Sequence, residues 1–177
     1  MNEKYNLRGG CTCGKVKYSI SEKPLFTQAC HCVDCKISTG SSYVIHTTIL
    51  DKTLSVDGKV ASTVLPTGSG KGYRAYFCIE CGVYLYCKYY IGPGRLNVRT
   101  KTLEDPKIFP PQVHIFTKDK DPWLNLPDKE KCFETAYDRD KTWPKESIKR
   151  YNEHLETIKW KLKEKNIEQF GLMKKVK

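Results

Sequence analysis

Tyr73-Arg74-Ala75-Tyr76-Phe77-Cys78-Ile79-Glu80-Cys81-Gly82-Val83-Tyr84-Leu85-Tyr86-Cys87-Lys88-Tyr89-Tyr90 reads as two strands folded about a short turn. Aromatic and β-branched residues crowd both arms, as pleated, half-buried strands favour. The turn itself is C-x-x-C-G. Two thiols on one tight turn can face one metal ion, and the glycine reaches backbone conformations closed to other residues. The same grammar recurs elsewhere. Cys11-Thr12-Cys13-Gly14 is a C-x-C pair, and Cys30-His31-Cys32-Val33-Asp34-Cys35 is C-x-C-x-x-C.

Further strands are expected at Val16–Ile20, Ser42–Ile49, Arg95–Val98 and Val113–Phe116. Gly9-Gly10, Asp57-Gly58, Gly68-Ser69-Gly70 and Gly92-Pro93-Gly94 mark turns between them. Short strands with frequent turns predict antiparallel sheets and not a parallel α/β fold. The proline-rich stretch 106–127 reads as an irregular wrap with one short strand, packed down through Trp123, Leu124 and Leu126. After Pro144 the period changes: Ile148, Tyr151, Leu155, Ile158 and Leu162 form a helical stripe, with Gly171 as the stop.

Composition sets the class. A chain of 177 residues with 39% hydrophobic and 29% charged residues has material for one modest core. No apolar run is long enough to span a bilayer, and the N-terminus carries no apolar signal region. Cytoplasmic residence is expected, with the nucleus as the second choice. Nine cysteines there point to metal binding more than to disulfides, and the odd count agrees. The net charge of +11 fits lysine-rich solvated surface better than a dedicated nucleic-acid face. Residues 141–177 hold eleven Lys/Arg against five Asp/Glu, so this tail carries more than half of that charge.

Two cysteine pairs complete a four-thiolate zinc site, the closed pattern of a structural metal. A cluster of three leaves one coordination position open, the pattern of a catalytic one. Spacing alone does not say which cysteines share an ion. It leaves open one structural zinc with spare thiols and, further back, an iron–sulfur cluster. His31, between two cysteines, is expected to point away from any ion. Cys87 and His114 are expected as packed side chains, Cys132 as part of a late loop, and Asp34 as a turn-capping group.

Taken in order, Gly9-Gly10-Cys11-Thr12-Cys13-Gly14-Lys15-Val16, Cys30-His31-Cys32-Val33-Asp34-Cys35 with Ser38-Thr39-Gly40-Ser41, and Phe77-Cys78-Ile79-Glu80-Cys81-Gly82 resemble the glutathione-dependent formaldehyde-activating enzyme family, which includes centromere protein V. Leu103-Glu104-Asp105-Pro106, His114-Ile115-Phe116 and Trp123 resemble its later landmarks, so the likeness spans roughly residues 5–135. It implies a mainly β, β-tent fold of small antiparallel sheets around zinc, over residues 1–140, with a basic helical extension over 141–177. It implies two zinc ions: a structural one on Cys11, Cys13, Cys78 and Cys81, and a catalytic one on Cys30, Cys32 and Cys35. It also implies a carbon–sulfur lyase acting on a small thiol adduct, with glutathione and formaldehyde as the type substrates. Val83 and Lys36 depart from the residues usual at those positions. A non-enzymatic zinc module for chromatin, nucleic acid or protein partners is the alternative.

Overall fold

The structure is a computed structural model that describes residues 5–67, 71–126 and 131–173, with side chains to residue 159. It is mainly β, with two sheets and a C-terminal helix. The smaller sheet has the order β1 (Leu7–Gly10), β2 (Lys17–Ile20), β5 (Leu54–Asp57), all antiparallel. The larger has the order β11-β10-β3-β4-β9-β8-β7-β6. Its strands are β3 (Phe26–Cys30), β4 (Val44–Leu50), β6 (Val60–Leu65), β7 (Tyr73–Cys78), β8 (Tyr84–Tyr89), β9 (Arg95–Arg99), β10 (Val113–Ile115) and β11 (Cys132–Phe133).

Alternation places the small sheet. In β2, Tyr18 and Ile20 are buried while Lys17 is exposed, so one face of the sheet meets the core. That face packs with Ile49, Leu85, Leu96 and Val98 of the large sheet. Fully burying such a side chain contributes about 2 kcal/mol. β4 runs through the centre of the molecule, buried along most of its length. A second apolar cluster lies around Leu25, Phe26, Val44, Leu50, Val113 and Ile115. Two shorter helices, α1 (Val33–Thr39) and α2 (Arg139–Thr142), precede α3 (Lys145–Met173), which seals this cluster with Tyr151, while Trp143, just before α3, stacks on Phe26.

Polar ties fix the start of α3. The Tyr151 hydroxyl donates to the Pro93 carbonyl at 2.8 Å, and His154 Nε2 lies 2.8 Å from Asp51 Oδ1. Arg150 donates to the Lys23 carbonyl at 2.7 Å and pairs with Glu22. Among the described residues, no helix is long and apolar enough to cross a membrane.

Several expectations need correction. Gly9 and Gly10 do not turn the chain; they lie in β1, paired with Tyr18 and Lys17. The sheets are not wholly antiparallel, because β10 runs parallel to both β3 and β11. Cys132 belongs to β11 and not to a loop. Trp123 does not pack the 106–126 segment down; it is 71% exposed. That segment is anchored by β10, through its pairing with β3 and the buried Val113 and Ile115, and its later part is tied by lysine ammonium groups. Lys36 Nζ reaches the Asp119 carbonyl and Asp121, and Lys120 Nζ reaches the Leu124 carbonyl. Gly171 does not stop α3, which continues to Met173. Gly68-Ser69-Gly70, Pro127 and the Leu162 side chain lie outside the described residues.

Candidate metal centres

Two turns of similar build carry four of the cysteines. After β1, the Cys11 N–H donates to the Val16 carbonyl at 3.0 Å and the Gly14 N–H to the Cys11 carbonyl at 3.1 Å. After β7, the Cys78 N–H donates to the Val83 carbonyl at 3.0 Å and the Gly82 N–H to the Cys78 carbonyl at 2.9 Å. Gly14 and Gly82 take φ of 73° and 70°, the left-handed conformation that lets each loop close so tightly. The sheets bring the two turns face to face.

The four sulfur atoms lie within 4.8 Å of one another. Cys11 Sγ to Cys13 Sγ is 3.4 Å and Cys13 Sγ to Cys78 Sγ is 3.7 Å. Zinc–thiolate bonds of about 2.3 Å in a tetrahedron put sulfurs roughly 3.8 Å apart, so this donor set fits zinc. Burial works against ionising Cys11. The Val16 N–H and the neighbouring thiols outweigh it and bring Cys11 down to about 6. Four thiolates fill a tetrahedron and leave no position for a substrate.

The other group is local. Cys30 ends β3. Cys32 caps α1 (Val33–Thr39), its Sγ accepting the Cys35 N–H at 3.4 Å, and Cys35 sits in the first turn. Their sulfurs also lie within 4.8 Å of one another. Cys30 and Cys35 are buried and Cys32 is half-buried. Hydrogen bonds from the Cys30 and Cys35 thiols, helped by the Cys35 N–H, pull Cys32 down to about 2. Donation to Cys32 and Cys35, with burial, pushes Cys30 well up. Cys30 favours the Cys35 thiolate, but Cys32 and burial prevail and raise Cys35 to about 12. These three cysteines could together hold a metal ion.

Sequence reading missed two residues behind this group. His46 on β4 is 1% exposed, with Nε2 3.6 Å from Cys35 Sγ. Arg99 on β9 is its cross-strand partner, with Nη1 3.3 Å from the same nitrogen. A guanidinium only donates, so His46 Nε2 accepts and the ring proton sits on Nδ1, which has no partner. Burial and then the Arg99 charge hold His46 well below its ordinary value, so it stays neutral. Beside Arg99 opens a cleft of about 650 Å³, lined by Ser38, Ser41, Ser42, Phe77, Val83, Tyr84, Arg99 and Lys101, among others. It runs from the C-terminal end of α1 to the Cys78–Gly82 turn.

The sequence model of a family described as glutathione-dependent formaldehyde-activating enzyme matches residues 6–119. The chain belongs to this family. Both cysteine groups, His46 and Arg99 fall inside the matched residues; α3 lies outside them, although the residues it is tied to, Glu22, Lys23, Asp51 and Pro93, lie inside. A crystal structure of a Rhodobacter sphaeroides protein is similar to this chain at 24% identity, covering 57% of this chain and 93% of that one, with a TM-score of 0.45. No curated protein matches.

The remaining polar residues of this family member take structural places. His31 is fully buried and turns to His114, with Nε2 3.0 Å from His114 Nδ1 and the Tyr43 ring 5.1 Å away. It is not among the grouped sulfur donors. Cys87 is completely buried in β8. Asp34 is exposed in the first turn of α1, where Cys32 supplies the cap.

Proposed function

We propose that the protein is a zinc-dependent carbon–sulfur lyase acting on a small thiol adduct of the glutathione–formaldehyde type. The observation that carries this reading is the unequal grouping of thiols: four that could saturate a tetrahedron, and three that could not. Cys11, Cys13, Cys78 and Cys81 would hold a structural zinc. Cys30, Cys32 and Cys35 would hold the catalytic one.

Zinc in the three-thiol site would supply a Lewis acid that keeps a substrate sulfur ionised at neutral pH. In the forward reaction the thiol adds across the formaldehyde carbonyl. The S–C bond forms, the π electron pair moves to oxygen, and the proton from sulfur ends on that oxygen. The reverse reaction breaks the same bond and returns both electrons to sulfur. The chain's part is orientation. Cys30 is fixed by β3, Cys35 by α1, and Cys32 by the cap it makes, so the three sulfurs that would hold the ion are themselves held in place. Arg99 and Ser38 lock the layer beneath, the Arg99 Nη2 donating to Ser38 Oγ at 3.3 Å and Ser38 Oγ donating to the Cys35 carbonyl at 3.0 Å.

The test is metal content and turnover on the same preparation. Two zinc ions per chain are expected, with a formaldehyde- and thiol-dependent increase in S-hydroxymethyl product above the uncatalysed rate, read by NMR. Two ions with no rate above background overturns the lyase reading, and one ion or none overturns the metal assignment.

A further inference from the structure

Arg99 is a cation set in the interior. It ends β9, is 5% exposed, and its guanidinium lies 3.7 Å from the centre of the Tyr84 ring. Among the described residues it forms no ion pair with a carboxylate, and its Nε has no partner. An ionised group buried without a counter-charge is costly, and an aromatic face recovers only part of that cost. The ionisable groups packed closest to it supply no charge. Burial pushes the Tyr84 phenol and the Cys87 thiol up and holds His46 down, so all three stay neutral.

Both arms of the guanidinium lead to Cys35. Nη1 lies 3.3 Å from His46 Nε2, and the same imidazole nitrogen lies 3.6 Å from Cys35 Sγ. Nη2 donates to Ser38 Oγ at 3.3 Å, and Ser38 Oγ donates to the Cys35 carbonyl at 3.0 Å. The register of β4 on β9 sets the first path, because His46 is the cross-strand partner of Arg99. The turn of α1 sets the second, because it carries both Cys35 and Ser38. One cation thus reaches the sulfur and the main chain of a single member of the three-thiol group. Three thiolates on a divalent ion leave one net negative charge. A buried charge of that sign needs what Arg99 has to give, and Arg99 needs the same in return.

We propose that Arg99 is the positioning residue of the three-thiol site: it is the interior counter-charge of the metal–thiolate group, applied through His46 at the Cys35 sulfur and through Ser38 at the Cys35 carbonyl. This rests on the reading that Cys30, Cys32 and Cys35 hold zinc. A guanidinium keeps its charge at every working pH, so the compensation is constant. It also draws electron density from the thiolates, which leaves the ion a stronger Lewis acid toward the sulfur it receives.

The experiment titrates the full chain with cobalt(II) against a competing chelator. Subtracting the titration of Cys32→Ser, whose three-thiol site is incomplete, separates the two sites. The four-thiol site then reports folding in every variant. Arg99→Met keeps the stem and removes the charge. It is expected to weaken cobalt at the three-thiol site by about tenfold to a hundredfold, the usual cost of losing a residue behind a metal ligand. It is also expected to move the sulfur-to-cobalt charge-transfer band to longer wavelength, because thiolates without a counter-cation give up electrons more readily. Arg99→Lys is expected to recover most of the affinity and to return the band. Ser38→Ala cuts the main-chain arm but leaves the charge, so the band is expected to stay in place.

Unchanged affinity and an unmoved band in Arg99→Met overturn the proposal. So does equal weakening in Arg99→Met and Arg99→Lys with no band shift, which makes Arg99 a packing residue. If Arg99→Met leaves the four-thiol site unfilled, it has not folded, and the unsubstituted chain decides by NMR. The Arg99 Nε–H signal is expected to move as zinc fills the three-thiol site, and a signal that stays still overturns the proposal. An unsubstituted chain that binds no more cobalt than Cys32→Ser overturns the metal assignment itself, and this proposal with it.

Discussion

Replacing Cys32 with serine should separate metal chemistry from folding. Cys32 is the N-cap of α1, extended at φ −61° and ψ 152°, with Sγ accepting the Cys35 N–H at 3.4 Å. Serine is among the best N-caps, so the helix loses nothing there, and capping differences of this kind stay within about 1 kcal/mol. A neutral hydroxyl is a poor zinc ligand, so the three-thiol site is left with two sulfurs. Cys78→Ser is the matched control. Cys78 is 1% exposed, and its sulfur meets Cys13 across a separation of 65 residues. Cys30 and Cys35 are only five residues apart. Loop-closure entropy scales with the logarithm of separation, so the long-range tie is worth about 2 kcal/mol more than the local one. For a chain of this size that is roughly 4–8 °C in Tm. Zinc analysis and thermal unfolding by circular dichroism read both numbers. Cys32→Ser is expected to keep one zinc per chain and melt within a few degrees of the parent. Cys78→Ser is expected to melt lower than Cys32→Ser by at least the calculated interval. If the two variants lose the same stability, or Cys32→Ser keeps two zinc ions, the division of the cysteines is wrong.

Three further outcomes are expected. Cys87→Ala should keep two zinc ions, because Cys87 is buried in β8 apart from both groups; the loss should be about 1 kcal/mol, read by urea unfolding. Tyr151→Phe removes the bond to the Pro93 carbonyl that pins α3, at a cost of about 1 kcal/mol, or 2–4 °C in Tm. Burial raises the Asp51 carboxyl, but His154 and Lys88 outweigh it and hold it below its ordinary value of 3.8. A depressed carboxylate contributes stability that is present above 3.8 and is lost as pH falls through the lower folded value. The gap in unfolding free energy between the parent and Asp51→Asn should therefore be steady near pH 5 and close toward pH 3; a gap that widens on acidification contradicts the assignment.

The cysteine groups were legible because metal-binding turns are local. C-x-x-C-G specifies its own backbone, and Gly14 and Gly82 adopt the left-handed conformation that such a turn requires. β7 and β8 were legible because their aromatic residues leave no other reading. β1 was not. A Cβ at Gly9 would overlap the Tyr18 ring and the Thr102 carbonyl, so a residue chosen for close packing in a strand looked like a turn signal. The parallel pairing of β10 with β3 has no local signature, since the partners are more than 80 residues apart. His46 and Arg99 share that obscurity. Each is an ordinary strand residue in the sequence, and only the register of β4 against β9 puts them side by side. Trp123 misled in the opposite sense, because an aromatic residue in a wrapping segment usually packs inward.

The two cysteine groups also differ in when they can exist. During synthesis Cys30, Cys32 and Cys35 leave the ribosome within one six-residue window, so a zinc ion can meet a complete donor set early. Cys11 and Cys13 must wait until Cys81 has emerged, about 70 residues after Cys11, and until β7 and β8 have paired to present the second turn. Free thiols on the growing chain are exposed to oxidation and to the wrong metal throughout that delay. On the proposed assignment of the two groups, a shortage of zinc in the cell would show itself first as chains whose two sheets do not close, and only among the survivors as lost chemistry.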